Sequence, residues 1–350
     1  MLARSRRIAL GGAEIETPLL VPAISSKAVG PIELGQGRRK PQVVAASRVH
    51  TETLLTGIRD AVLISAYDIH HGFVSSASAF HKGFAESIYA SPRVLVIDSG
   101  WYEKGVGPSG GQWYHKVGEE SLPFEQSDHT ALIDSLDPKL EAVLVNWDSR
   151  GSYIDQIKAA QDFFGARPRF TSDILLKPEG KKRHHDFKEL SGAVAGRLRA
   201  FKIVGVTEKE LGDTILSRLT SLAHLRECLA QANVDAPIHV FGGLDPLMTP
   251  LYFAAGGEIF DGLSWLRYAF RDGLSVARDN APLLDRNYEK RFPAAISRVQ
   301  LSNLDALEQL ATELRVFFHN NGDWGKLRRG DELRPAFEAM EASLGSTYGR

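Results

Sequence analysis

Apolar residues in this chain gather in short, nearly continuous runs, and between the runs lie longer stretches where they recur every three or four positions. The runs are PLLVPAIS (Pro18 to Ser25), AVLISAYD (Ala61 to Asp68), RVLVIDSG (Arg93 to Gly100), AVLVNWDS (Ala142 to Ser149), DILLKPEG (Asp173 to Gly180), FKIVGVT (Phe201 to Thr207), IHVFGG (Ile238 to Gly243) and EIFDGLSW (Glu258 to Trp265). Continuous rather than alternating apolar character marks parallel strands covered on both faces. The stretch from Glu208 to Ala232 places Leu211, Ile215, Leu219, Leu222 and Leu225 at helical spacing, as a helix lying on such a sheet would. Eight strands in steady alternation with helices predict an α/β chain, and a (β/α)8 TIM barrel suits the pattern better than an open doubly wound sheet.

Composition narrows the function classes. With 350 residues and 43% hydrophobic side chains, the chain can fill a large core. Its 42 basic and 43 acidic residues give a formal charge of −1, so no global positive field announces a polyanion, and one would have to dock on local patches. A single cysteine, Cys228, excludes an internal disulfide framework and any site built from several thiolates. The N-terminal MLARSRRIAL lacks an apolar signal region, and no run of about 18 apolar residues occurs. A cytoplasmic protein without a membrane segment is the expectation.

In a barrel, chemistry gathers at the C-terminal ends of the strands. Asp98, Asp148, Lys177, Thr207, Gly242 and Gly243 all stand directly after apolar runs. Each also has an ordinary role open to it: a helix cap or Asx turn for the aspartates, a turn for the glycine pair, a solvated loop charge for Lys177. Asp261 is different, because a carboxylate flanked by Ile259, Phe260 and Leu263 is costly to bury without a partner or a task.

Taken in order, these segments resemble the tRNA-guanine transglycosylase superfamily, (β/α)8 enzymes that exchange a guanine in nucleic acid for a 7-deazaguanine. GGAEIETPLLVPAIS is similar to the family's opening hairpin and E-T-P stretch, LISAYDIHH to its N-T-y-H segment, and IDSGWYE to its D-S-G-G-[FY]-Q motif. IVGVT resembles its v-G-G-l turn, FGGLDPLMTPLYFAAGGEIFDGLSWLRYAF its G-x-G…F-D-x-x-x-P-T-R segment, and SNLDALEQLATELRVFF its closing helix. The resemblance implies an N-terminal hairpin, a main barrel over residues 1–270 and a reduced C-terminal helical extension over residues 271–350.

It also implies site roles. Asp261 would be the nucleophile at C1′ of the nucleoside, and Asp98 the general acid or base on the departing and entering purine. Ser99 and Gly100 complete the D-S-G motif, and Tyr102 would stack on the base. Asp148 would accept from the purine edge, and Lys177 falls where the family has a glutamine that donates to O6. Gly205 keeps half of a Gly-Gly turn against the base, Gly242 and Gly243 line the pocket, and Arg267 survives from the basic run that follows. The family's thiolate zinc site is absent, with Ser302 near its histidine position, so neither metal nor other cofactor is expected.

The tRNA-reading features are the eroded ones. A base-exchange enzyme acting on DNA, with a preQ0-like base as co-substrate, is therefore the leading expectation, followed by a divergent tRNA enzyme. A non-catalytic nucleic-acid-binding subunit and an unrelated barrel enzyme stand behind them. Phosphate contacts are expected at Arg38, Arg39 and Lys40 and at Lys181, Lys182 and Arg183, each cluster in a Gly-flanked loop. A homodimer, or helper proteins that open a duplex, would suit such a target.

Overall fold

The computed structural model describes residues 1–26, 28, 54–55, 57–74, 92–105, 122–284, 286 and 292–348. Eight parallel strands close into a barrel: β3 (Leu19–Ile24), β4 (Ala61–Ser65), β5 (Val94–Asp98), β6 (Val143–Val145), β7 (Thr171–Leu176), β8 (Ile203–Thr207), β9 (Ile238–Phe241) and β10 (Ile259–Gly262), with β10 pairing back to β3. This is a (β/α)8 TIM barrel. Each predicted apolar run holds one strand, shortened where it met polar or turn residues. AVLISAYD is strand only to Ser65, whose hydroxyl caps the helix Ala66–His70 by accepting from the Asp68 amide. Likewise EIFDGLSW is strand only to Gly262, and Ser264–Arg267 forms a helical turn.

Two apolar shells hold the barrel. Val21, Ala23, Leu63, Val96, Val143, Val145, Leu175, Ile203 and Ile259 fill its interior. The outward faces of the strands meet the surrounding helices in a second, larger cluster. Full burial of each Val, Leu or Ile side chain contributes about 1.5–3 kcal/mol. A hairpin of β1 (Arg7–Leu10) and β2 (Ala13–Glu16) precedes the barrel and sends Leu10 and Ile15 into the interior cluster. Its turn is Gly11-Gly12, both at positive φ, and the Gly11 amide donates to Thr171 Oγ1 at the start of β7. The hairpin therefore plugs the N-terminal end of the barrel, and the C-terminal ends of the strands lie at the opposite end.

The expected helix from Glu208 to Ala232 splits. Glu208–Glu210 is a 3-10 turn, and the α-helix runs from Ile215 to Gln231 after an N-cap at Thr214. Leu211 is buried ahead of the helix and Ile215 is exposed, so the apolar spacing was carried across a break at Gly212, where φ is +158°. After β10 the chain makes a hairpin of β11 (Tyr268–Arg271) and β12 (Leu274–Ala277), then the helices Phe292–His319 and Gly330–Tyr348. Leu304, Leu307, Leu314, Phe317, Phe337 and Met340 of these helices join the outer cluster of the barrel. Among the described residues no helix is long and apolar enough to cross a membrane.

Candidate active site

Because all eight strands are parallel, every strand-end residue singled out in the sequence lies at the same end of the barrel. Asp98 is the last residue of β5, Asp148 follows β6, Lys177 follows β7, Thr207 ends β8, Gly242 follows β9, and Asp261 is the third residue of β10. The strand period of two turns each of them, or the residue beside it, toward the barrel axis.

Asp98 is partly accessible at the mouth yet crowded by protein. Its desolvation first, then the negative charges of Asp148 and Asp261, push its carboxyl up from the ordinary 3.8 to about 7, against weak help from the Ser99 and Gly100 amides. The Gly100 amide sits 3.4 Å from Asp98 Oδ2. Asp98 thus closes the local turn open to it from sequence, and it also meets two other carboxylates. Gly100 has φ +84°, and a Cβ there would lie 2.7 Å from both the Tyr67 amide and Cβ. The glycine of D-S-G is required by this close approach.

Ser99 and Lys177 tie the next strands together. Ser99 donates to Asp148 Oδ1 at 2.9 Å. The Lys177 ammonium lies 3.2 Å from Asp148 Oδ2, 2.9 Å from Glu210 and 3.4 Å from the Thr207 hydroxyl. Burial works against this charge, but the two carboxylates outweigh it and raise the Lys177 pKa. Lys177 is therefore an ionised, buried partner rather than a solvated loop charge. Above it, Trp101 and Tyr102 are exposed at 42% and 39%. Trp101 stands edge-on to the buried Trp147 at 5.6 Å, with the Lys104 ammonium over both rings. Arg267 reaches across the mouth to donate to the Tyr102 hydroxyl.

Asp261 is 6% exposed, and one of its oxygens is held. The Gly242 amide donates to Oδ1 at 2.9 Å, and His239 Nε2 approaches the same oxygen at 3.4 Å. Gly242 has φ +79°, a conformation that suits glycine. Gly243 is a packing residue: its amide donates to the Val240 carbonyl, its carbonyl accepts from Thr249, and a Cβ would lie 2.9 Å from Val240. Gly205 lies inside the barrel, between Leu175 of β7 and His239 of β9 in register.

Several residues of this site escaped the sequence. His239 and Asp173 are 1% and 0% exposed, with Nδ1 of the imidazole 2.7 Å from Asp173 Oδ2. Glu103, three residues into the aromatic turn, is buried. Its desolvation, followed by the charges of Asp68 and Asp98, pushes its carboxyl up to about 8. Asp68 is itself fully buried and accepts from the Ser26 amide and hydroxyl. Glu210 completes the lysine cage. The usable signal was positional, since Asp173, His239 and Asp261 all fall on the inward phase of their strands.

Lys181, Lys182 and Arg183 are exposed on the loop after β7, on the mouth side, with Lys182 and Arg183 against Asp186 and Asp213. Arg38, Arg39 and Lys40 lie outside the described residues. Ser302 accepts from Arg271 at 3.1 Å, and no group of side chains suited to a metal ion occurs among the described residues. No protein-family model matches the chain, and no curated protein matches it.

Proposed function

We propose that the chain is a nucleic-acid guanine transglycosylase, exchanging guanine for a 7-deazaguanine base through a covalent sugar ester on Asp261, with DNA favoured over tRNA. The observation that carries the proposal is the meeting of two carboxylates from β5 and β10 at one mouth, with the proton of Asp98 held near neutrality.

The chemistry divides between them. Asp261 attacks C1′, the bond from C1′ to guanine N9 breaks, and its electron pair leaves with the purine, which takes a proton from Asp98. The incoming base then gives its N9 proton to the Asp98 carboxylate and attacks C1′, and the ester bond to Asp261 breaks. A group titrating at about 7 has both protonation states to hand at neutral pH, as this two-way duty requires. Tyr102 and Trp101 offer aromatic faces for the flat base, and the Asp148–Lys177 pair offers an acceptor and a donor for its polar edge. Arg267, Lys181, Lys182 and Arg183 stand outside as phosphate contacts. The preference for DNA rests on the lack of zinc thiolates and on the short hairpin and helices that occupy residues 268–284.

The test is mass spectrometry of nucleosides from separately purified DNA and tRNA, with and without the gene. A gene-dependent 7-deazaguanine nucleoside in DNA is the expected result, and the same signal in tRNA moves the target. No change in either pool, with the precursor base supplied, removes base exchange. In vitro, Asp261→Asn should abolish exchange while the protein still unfolds in one cooperative transition; retained activity removes Asp261 as nucleophile.

A further inference from the structure

Beneath the mouth, the barrel interior holds two ionisable groups, Asp173 and His239, that base exchange as described does not use. Asp173 of β7 bonds His239 of β9 across β8, and His239 in turn faces Asp261 of β10. The pair meets because β8 contributes Gly205 at the crossing point. A Cβ there would lie 2.5 Å from Phe241 Cε2 and 3.0 Å from Asp173 Oδ1. Phe241 lies against the imidazole with ring centroids 3.8 Å apart, which fixes the ring plane. An interior position of a barrel is ordinarily aliphatic, so a dry Asp–His pair here calls for a reason.

We infer that His239 is a positioning residue for Asp261: with its Nδ1–H bonded to Asp173, it holds its Nε2 edge beside Asp261 Oδ1, to which it donates when the substrate is bound, so that Oδ2 is the attacking oxygen. The inference rests on the proposed role of Asp261 as nucleophile. The Gly242 amide donates to the same Oδ1, and His239 Nε2, buried without a hydrogen-bond partner of its own among the described residues, stands 3.4 Å from it, so both groups lie against one oxygen of the carboxylate. At 1% exposure the imidazole cannot reach a nucleic acid, so its effect passes through Asp261. The titratable groups facing it are Asp173 from β7 and Asp261 from β10, and β8 supplies only glycine. Burial disfavours the imidazolium, but the Asp173 carboxylate, and then Asp261, outweigh it and push its pKa to about 9. A cation at this place also eases the second half of the reaction, when the ester bond breaks and the carboxylate charge returns.

The experiment has one readout independent of activity. Imidazole-15N spectra of the intact protein, with the His239 signal assigned by its loss in His239→Gln, should show both ring nitrogens protonated at pH 7.5. The ring should turn neutral at that pH in Asp173→Asn, and lose its charge at lower pH in Asp261→Asn than in the unmodified chain. In base exchange, Asp173→Asn should lower kcat on the order of 10²-fold with KM nearly unchanged and carry the alkaline limb to lower pH. His239→Gln, which keeps a neutral donor, should retain more activity than His239→Leu. A singly protonated His239 at pH 7.5, or a charge indifferent to Asp261→Asn, overturns the inference. If the unmodified chain exchanges no base at all, the transglycosylase role falls, and the spectra alone decide whether His239 holds Asp261.

Discussion

Replacing Asp98 by Asn should stabilise the protein in alkaline solution and leave it nearly unchanged in acid. The carboxyl is moved from 3.8 to about 7 in the folded chain, so between roughly pH 4 and 7 the native state keeps a proton that the unfolded state has lost. Stability then falls as pH rises through that window, and the deficit is complete above about 7. At about 1.4 kcal/mol for each tenfold change in proton affinity, the full deficit is about 4 kcal/mol, a ceiling because Asp98 is itself partly accessible. Asn keeps the shape and can still accept from the Gly100 amide, but it cannot ionise. For 350 residues, with an unfolding entropy of about 2.1 cal/mol/K per residue, that ceiling corresponds to a rise in melting temperature of about 5 °C.

Calorimetric melts of both proteins at pH 4 and at pH 8.5 make the comparison. Glu103, itself pushed to about 8, adds its own alkaline deficit to each protein, so the difference between them is the quantity to read. Removing the Asp98 charge also eases ionisation of Glu103, which enlarges the gain. An Asn variant no more stable at pH 8.5, or a gain equal at both pH values, refutes the burial and charge argument. The same variant should lose base exchange, the usual exchange of stability for function at a strained site.

Two further substitutions test the frame around the carboxylates. Lys177→Met leaves Asp148 and Glu210 facing each other without their shared cation, and should cost about 3–5 kcal/mol in urea unfolding at pH 7. Neutralising both acids in the same chain, with Asp148→Asn and Glu210→Gln, should restore most of it; no recovery means the lysine acts by packing alone. Gly205→Ala puts a methyl against Phe241 and Asp173 and should cost about 1–3 kcal/mol, with the His239 15N signal shifted as the imidazole is pushed aside. An unshifted signal would mean that β8 yields instead.

The barrel was legible because strand order needs only the sequence of apolar runs, and the eight runs each became one strand. The mouth was legible for the same reason: a polar residue directly after a buried run has to sit at the C-terminal end. What stayed hidden were partners supplied from another strand. Nothing in DILLKPEG says that Asp173 meets a histidine two strands away, since that meeting depends on Gly205 between them having no side chain. A loop charge stayed open as the ordinary reading of Lys177, beside its place in the pocket, because its two carboxylates, Asp148 and Glu210, come from different strand ends. Helix breaks were misplaced where apolar spacing happened to run through a turn, as at Gly212.

The charge balance of the mouth carries the same chemistry one step further. Among the described residues Asp148, Glu210 and Asp261 stand against Lys177, while the Asp173–His239 pair cancels within itself, so these groups are together net negative even with Asp98 protonated. A negative pocket suits an oxocarbenium-like centre, whose positive charge grows as the base departs, and it gives no such help to the neutral ground state. The same field repels a phosphate backbone. In the proposed reaction, exposed Lys181, Lys182 and Arg183 on the loop after β7, and Arg267 at the rim, are where that repulsion would be offset, with backbone contacts outside the mouth and one flipped nucleotide inside it.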